Sequence, residues 1–162
     1  MKLSEGVEWG AHCAVLLSVL PAGAALPTGR LAEYHEVPVA YLAKHLQAMS
    51  RAGILESTPG PRGGYRLARP AAEITLLEVV EAIDGTRSPF RCTDLRSRGP
   101  AGVPERQFRT MCGIHRAMVE ADEQWRAHLR TVTVADLALG AASGSAPEAM
   151  EKFVDWFQEV LP

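Results

Sequence analysis

Apolar residues near the start of the chain, Val7, Ala11, Ala14, Val15 and Val19, recur at helical spacing. They predict a helix opening at Ser4, which suits an N-cap, and stopped by Pro21. A Pro/Gly/Ala loop runs to Pro27, and Thr28 can cap a short helix that turns Leu31 and Ala32 inward. Glu36-Val37 reads as a tight turn into a second helix striped by Val39, Leu42, Leu46 and Met49, with Gly53 at the C′ position. Ile54 to Ser57 and Tyr65 to Leu67 flank a Pro- and Gly-rich turn, Pro59 to Gly64, which predicts a β-hairpin with a glycine-bent tip.

Thr75 with Glu78 forms a capping box, and Ile74 with Val79 a hydrophobic staple, so a further helix begins there and ends at Asp84-Gly85. Residues 86 to 111 are polar, Arg-rich and broken by Pro89, Gly99, Pro100, Gly102 and Pro104. A loop of that length inside a compact domain is usually functional. A long helix follows from about Cys112 to Arg130, with Ile114, Met118, Ala121, Trp125 and Leu129 on one face. Thr133 and Asp136 offer a second capping pair, Gly140 to Pro147 reads as a linker, and Met150, Phe153, Val154, Phe157 and Leu161 mark an amphipathic C-terminal helix.

Composition narrows the classes. At 162 residues the chain fits one compact domain with some elaboration. No apolar run approaches the roughly 20 residues of a membrane span, and no signal-peptide pattern opens the chain, so a cytoplasmic protein with no membrane partner is expected. Net charge is −2, but it is unevenly spread: residues 1–70 carry seven Lys/Arg against five Asp/Glu, and residues 71–162 carry ten against fourteen. A positive first half is compatible with DNA and does not require it. Three cysteines, Cys13, Cys92 and Cys112, are too few for a disulfide framework. No phosphate-cradling glycine motif, nucleophile elbow or His-Glu-x-x-His helix is present, so no enzyme is expected.

Two short helices joined by a tight turn and followed by a hairpin give the winged helix-turn-helix order, in a mainly α fold. The second helix would enter the major groove of double-stranded DNA. Its polar face offers Tyr41, Lys44, His45 and Gln47 to bases or phosphates. The wing tip offers Arg62, with Gly63 and Gly64 leaving the backbone before Tyr65 free to approach a groove. A plain helical bundle with a solvated hairpin fits the same pattern.

Tyr41-Leu42, Leu46, Ala52-Gly53-Ile54-Leu55, Gly63-Gly64-Tyr65-Arg66-Leu67, Ile74-Thr75 and Val80 to Gly85 resemble one family. It comprises the winged-helix repressors that sense iron–sulfur clusters, nitric oxide or redox state, the IscR, NsrR and RsrR group. The resemblance covers most of residues 1–138, and Val7-Glu8-Trp9 with His12-Cys13 is most similar to the RsrR-type members. It implies a homodimeric repressor carrying a [2Fe–2S] cluster and binding a pseudo-palindromic operator. The divisions it implies are a DNA-binding domain at 1–85, a cluster-binding loop at 86–111, a dimerisation helix region at 112–139, and a linker with an amphipathic helix at 140–162. Pro38, Ala40 and Ala43 depart from the family's usual residues around the recognition helix, so its operator sequence does not carry over.

The resemblance also implies the sensory residues. Cys92 and Cys112 stand in the loop region where the family usually has three cysteines, so a four-ligand cluster needs two more donors. Glu8 and His12, one helical turn apart, match the non-cysteine ligands of RsrR-type members, which reach across to the partner subunit; Trp9 beside them is the switch candidate. The rival is His115, since Cys112-x-x-His115 resembles the IscR-type ending. From the residues alone, a structural zinc, a regulatory disulfide, a solvated Glu–His face, or an electron-transfer centre stay open. Cys13, about 100° round the helix from His12, reads as a buried hydrophobe.

Overall fold

A computed structural model describes residues 3–60 and 63–161. Helix α1 (Glu5–Ser18) starts after Ser4, whose amide and hydroxyl donate to the Asp84 carboxylate at 2.9 and 2.5 Å rather than capping α1 itself. Helix α2 (Thr28–Tyr34) begins one residue earlier than the cap at Thr28 would require. Extended Pro27 takes the cap position, and its carbonyl accepts from Arg30 and Leu31 N–H at 3.0 and 3.2 Å. Glu36, at φ 51°, makes the tight turn into α3 (Val39–Arg51), and Gly53, at φ 72°, ends it.

Strands β1 (Leu55–Thr58) and β2 (Gly64–Leu67) pair antiparallel, Leu55 opposite Leu67 and Thr58 opposite Gly64. Helix α4 (Leu76–Asp84) opens on the full capping box of Thr75 and Glu78. A second complete box, Thr133 with Asp136, opens α6 (Val134–Gly144) after the long α5 (Gly113–Thr131). The two boxes lie side by side: Leu76 N–H donates to Val132 O at 2.8 Å and Val134 N–H to Ile74 O at 2.9 Å. Helix α7 (Pro147–Val160) closes the chain. The stretch expected as a linker is thus mostly helix. Alanine-rich α6 packs on α1 and carries Gly140 and Gly144 with it, leaving only Ser145 and Ala146 between helices.

The core lies among α1 to α4 and the hairpin. Leu26, Leu31, Leu42, Leu46, Met49 and Ile54 are fully buried in it. Cys13 belongs to this core as expected, and burial pushes its thiol up to about 12. Phe153 and Trp156 of α7 pack on its edge against Tyr34. Helix α5 differs: none of its residues is buried, and Ile114 and Met118 are 69% and 40% exposed.

Candidate nucleic-acid interface and sensory site

Leu42, Leu46 and Met49 fix one face of α3 in the core, which turns Tyr41, Lys44 and Gln47 outward. The Lys44 ammonium lies over the Tyr41 ring at 5.2 Å, so the two present one amphipathic patch. His45 does not join them. Its ring is half-buried against α1, edge-on to Trp9 at 6.0 Å, and lies so close to Gly6 that any side chain there would overlap it. Helix–helix contact has drawn inward a residue that the α3 pattern alone placed on the outer face.

In the wing, Arg62 lies outside the described residues, as does Pro61. Gly64 is required by the protein itself: a Cβ there would run into the Leu26 backbone. That close approach lets Tyr65 and Leu26 exchange backbone hydrogen bonds at 2.8 and 3.0 Å, fastening the hairpin to the loop before α2. Gly63 is held similarly against the Thr58 carbonyl, and Tyr65 packs on the core edge. These contacts give Gly63, Gly64 and Tyr65 structural work within the wing.

Cys92 and Cys112 share one neighbourhood. Cys92 Sγ accepts from Asp94 N–H at 3.4 Å, and Asp94 sits in the left-handed region at φ 41°. Arg96 donates to both Asp94 oxygens, at 2.8 and 3.1 Å, and to Thr110 O at 3.3 Å, with its guanidinium 4.1 Å from the Phe108 ring centre. Fixed in this way, Arg96 places its charge close to both thiols. Cys112 occupies the N-cap of α5. The His115 and Ile114 N–H groups aimed at its sulfur hold the thiol below its ordinary range, helped by Arg96 and opposed by desolvation and Asp94. His115 stands one turn on, beside Phe90 at 6.0 Å.

Glu8 and His12 are exposed on one face of α1, and His12 neighbours His35 at 5.7 Å between ring centres. They do not meet the cysteines within this chain. Arg126 ties α5 to the body through Glu81 at 2.6 Å and the Thr86 carbonyl at 3.1 Å. Cys112 lies 14 residues before it, so about 21 Å further along the helix axis. Among the described residues no three His, Cys, Asp or Glu side chains converge to hold a metal ion. The donor chemistry fits a [2Fe–2S] cluster, two thiols with a carboxylate and an imidazole, but one chain brings together only part of the set.

Two residues outside the expected site organise it. Arg126, 13% exposed at its side chain, also pairs with Asp122 at 3.1 Å. It anchors the start of the loop that carries Cys92, while Arg96 organises the loop's interior. The i, i+4 spacing of Asp122 and Arg126 was a visible signal for the first. Nothing in the spacing of a polar loop marked Arg96.

A mainly helical body with a two-stranded wing beside α3 defines a winged-helix regulator. The family model Rrf2, described as an iron-dependent transcriptional regulator, matches residues 3–139. The chain belongs to the Rrf2 family of transcriptional regulators. It is 31% identical over 125 residues to YwgB of Bacillus subtilis (strain 168), named as an HTH-type transcriptional regulator, covering 77% of this chain and 76% of that protein. Its fold is similar to that of T. potens IscR, with TM-score 0.66 and 18% identity over 93% of this chain and 96% of that one. It is also similar to CymR, the global cysteine regulator of B. subtilis, with TM-score 0.62 and 22% identity over 85% of this chain and 96% of that one. No helix among the described residues is long and apolar enough to cross a membrane.

Proposed function

We propose that this chain is a homodimeric DNA-binding repressor whose sensory site, a [2Fe–2S] centre responding to redox state, forms between two copies. Tyr41, Lys44 and Gln47 on α3 face the major groove, Arg62 on the wing reaches phosphate or the minor groove, and two-fold symmetry sets a pseudo-palindromic operator. Cys92 and Cys112 of one subunit, with Glu8 and His12 of the partner subunit, make up the ligand set. The observation that carries this reading is the reach of α5. It holds Cys112 about 21 Å from its anchor on the body, beside exposed Ile114 and Met118, so a second copy both covers that apolar face and completes the donors.

When bound, a cluster supplies a one-electron centre whose potential responds to nearby charge and hydrogen bonds. The chain's own residues supply the rest. Arg96 keeps positive charge beside both thiols, and the α5 amides favour the Cys112 thiolate. Helix α1 links the site to DNA: it bears Glu8 and His12 outward while Gly6 and Trp9 hold His45 of α3. Trp9, between ligands and recognition helix, is the switch candidate.

A second reading, a cluster-free or zinc-bound repressor switched by thiol oxidation, is favoured by one observation. The Cys112 thiolate is already stabilised by α5 and Arg96 without any metal. Anaerobic purification with iron, sulfide and zinc analysis separates the two: about two irons and two sulfides per chain for the cluster, none for the thiol switch. Ligation across the dimer is tested by mixing a Glu8→Ala/His12→Ala subunit with a Cys92→Ser/Cys112→Ser subunit. Colour appearing only in the heterodimer supports it, and colourless heterodimers refute it. A normal cluster in the Glu8→Ala/His12→Ala homodimer would transfer the role to His115.

A further inference from the structure

Residues 86–111, between α4 and α5, hold Arg87, Arg91, Arg96, Arg98, Arg106 and Arg109 against only Asp94 and Glu105. The rest of the chain carries eleven Lys/Arg against seventeen Asp/Glu, so positive charge is concentrated in this one segment. Asp94 is already paired with Arg96. Arg91, Arg98, Arg106 and Arg109 are exposed, and among the described residues none of them pairs with a carboxylate. The loop folds back on itself. Val103 N–H donates to Arg96 O at 3.3 Å, and the Arg96 guanidinium donates to Thr110 O at 3.3 Å. Residues 96, 103 and 110 are thereby drawn together, and Arg98, Arg106 and Arg109 issue from one compact base. All six cations are arginine, whose planar fork meets phosphate oxygens two at a time, although the chain has lysines elsewhere.

The direction in which α5 runs selects the anion. Gly6 meets His45 and Gly10 meets Met49, so α1 lies alongside α3 and points the same way. Ser4 reaches Asp84 while Gly10 faces Val79, so α4 points the opposite way. Val132 meets Leu76 and Arg126 meets Glu81, so α5 in turn runs opposite to α4. The start of α5, with the loop before it, therefore projects past the end of the body where α1 and α3 begin. A recognition helix reads base edges with its N-terminal residues, so this is the end that a duplex would approach. We propose that the loop is a second DNA-binding surface, on which Arg98, Arg106 and Arg109 take backbone phosphates beside the segment read by α3. It rests on the DNA-binding reading of α3 and adds affinity that is independent of sequence, because each phosphate neutralised releases counterions.

The test is fluorescence anisotropy of the full chain with a random-sequence duplex of about 40 base pairs, at salt from about 25 to 200 mM. A random sequence suffices because phosphate contacts carry no base information. Arg98→Gln/Arg106→Gln should bind at least about tenfold more weakly at about 50 mM salt, with the slope of log K against log salt reduced by about 2 per chain. Arg98→Lys/Arg106→Lys keeps the charge and should retain most of the slope. Arg130→Gln/Lys152→Gln removes the same charge elsewhere and should leave the slope within about 0.5 of the parent value. Arg109→Gln is the substitute if the first pair fails to fold, with a slope change of about 1 expected. Lys44→Gln separates this proposal from the reading it rests on. Weaker binding in Lys44→Gln beside an unchanged slope in the folded loop variants overturns the loop surface alone, and the reverse pattern upholds the loop and removes α3. A parent protein that does not bind the duplex at about 25 mM salt overturns both. An equal loss in Arg130→Gln/Lys152→Gln reduces the effect to net charge and overturns the proposal. So does a loss that sedimentation traces wholly to weaker self-association, since the arginines would then face the acidic side chains of a second copy.

Discussion

The body of this chain and the arm that carries Cys92 and Cys112 are held by different physics. From Val7 to Val80 the sequence buries apolar side chains repeatedly, and Val134 returns from α6 to the same core. Between residues 81 and 133 none is buried. The arm is fastened instead by polar contacts: Arg126 on Glu81 and Asp122, and Arg96 on Asp94 and Thr110. A core this continuous stands on its own, whereas an arm with exposed Leu95, Met111, Ile114 and Met118 keeps its apolar surface for something else. The difference places most of the stability in the first region and lets the second open at lower cost.

The largest effect should come from the body. Leu46→Ala removes a fully buried side chain at the centre of α3, and a loss of about 2–5 kcal/mol is expected in chemical denaturation. A loss under about 1 kcal/mol would mean that the core is far looser than its burial indicates. Next comes the joint between the regions. Arg126→Met keeps the aliphatic stem but leaves Glu81 and half-buried Asp122 unpaired. It should cost about 1–3 kcal/mol and raise hydrogen exchange at residues 86–91 more than in α3. Uniform exchange throughout would refute its anchoring role.

Legibility followed the same divide. Wherever burial writes a 3.6-residue or alternating pattern, as in α1, α3 and the hairpin, the elements could be read directly, and both capping pairs are spelled out in local sequence. The expected linker after Gly140 failed because packing on α1 overrides the weak helix propensity of glycine and serine. His45 was misplaced on the outer face because its neighbour, Gly6, is 39 positions away and carries no side chain to signal the contact. In the arm the cysteines drew attention by their chemistry. Arg96, the residue that relates them, sits in a segment with no period to read.

A smaller effect tests how firmly the body's α4 is started. Thr75→Ala should cost about 1 kcal/mol through the lost cap. Desolvation raises the Glu78 carboxyl, but hydrogen bonds from Thr75 N–H, Arg69 and the Thr75 hydroxyl outweigh it and hold Glu78 below its ordinary value of 4.5. A depressed folded-state value means that the contribution is complete above 4.5 and disappears as pH falls through the folded-state value. Glu78→Gln should therefore flatten the decline of Tm below about pH 4.5. An unchanged acid limb would show that the carboxylate adds nothing beyond what the amide can accept.

The smallest effect is expected where apolar surface is most available. Leu95 is 73% exposed in the arm, so Leu95→Ala should change the stability of an isolated subunit by less than about 0.5 kcal/mol. The value of the measurement lies in its concentration dependence. If the arm's apolar residues are reserved for a second copy, Leu95→Ala loses nothing in dilute protein but shifts the dimerisation midpoint to higher concentration in sedimentation, since the lost area then belongs to the interface. Leu46→Ala would behave in the opposite way, lowering stability at every concentration. A loss above about 1 kcal/mol for Leu95→Ala in dilute monomer would give the arm a core of its own and erase the contrast between the two regions.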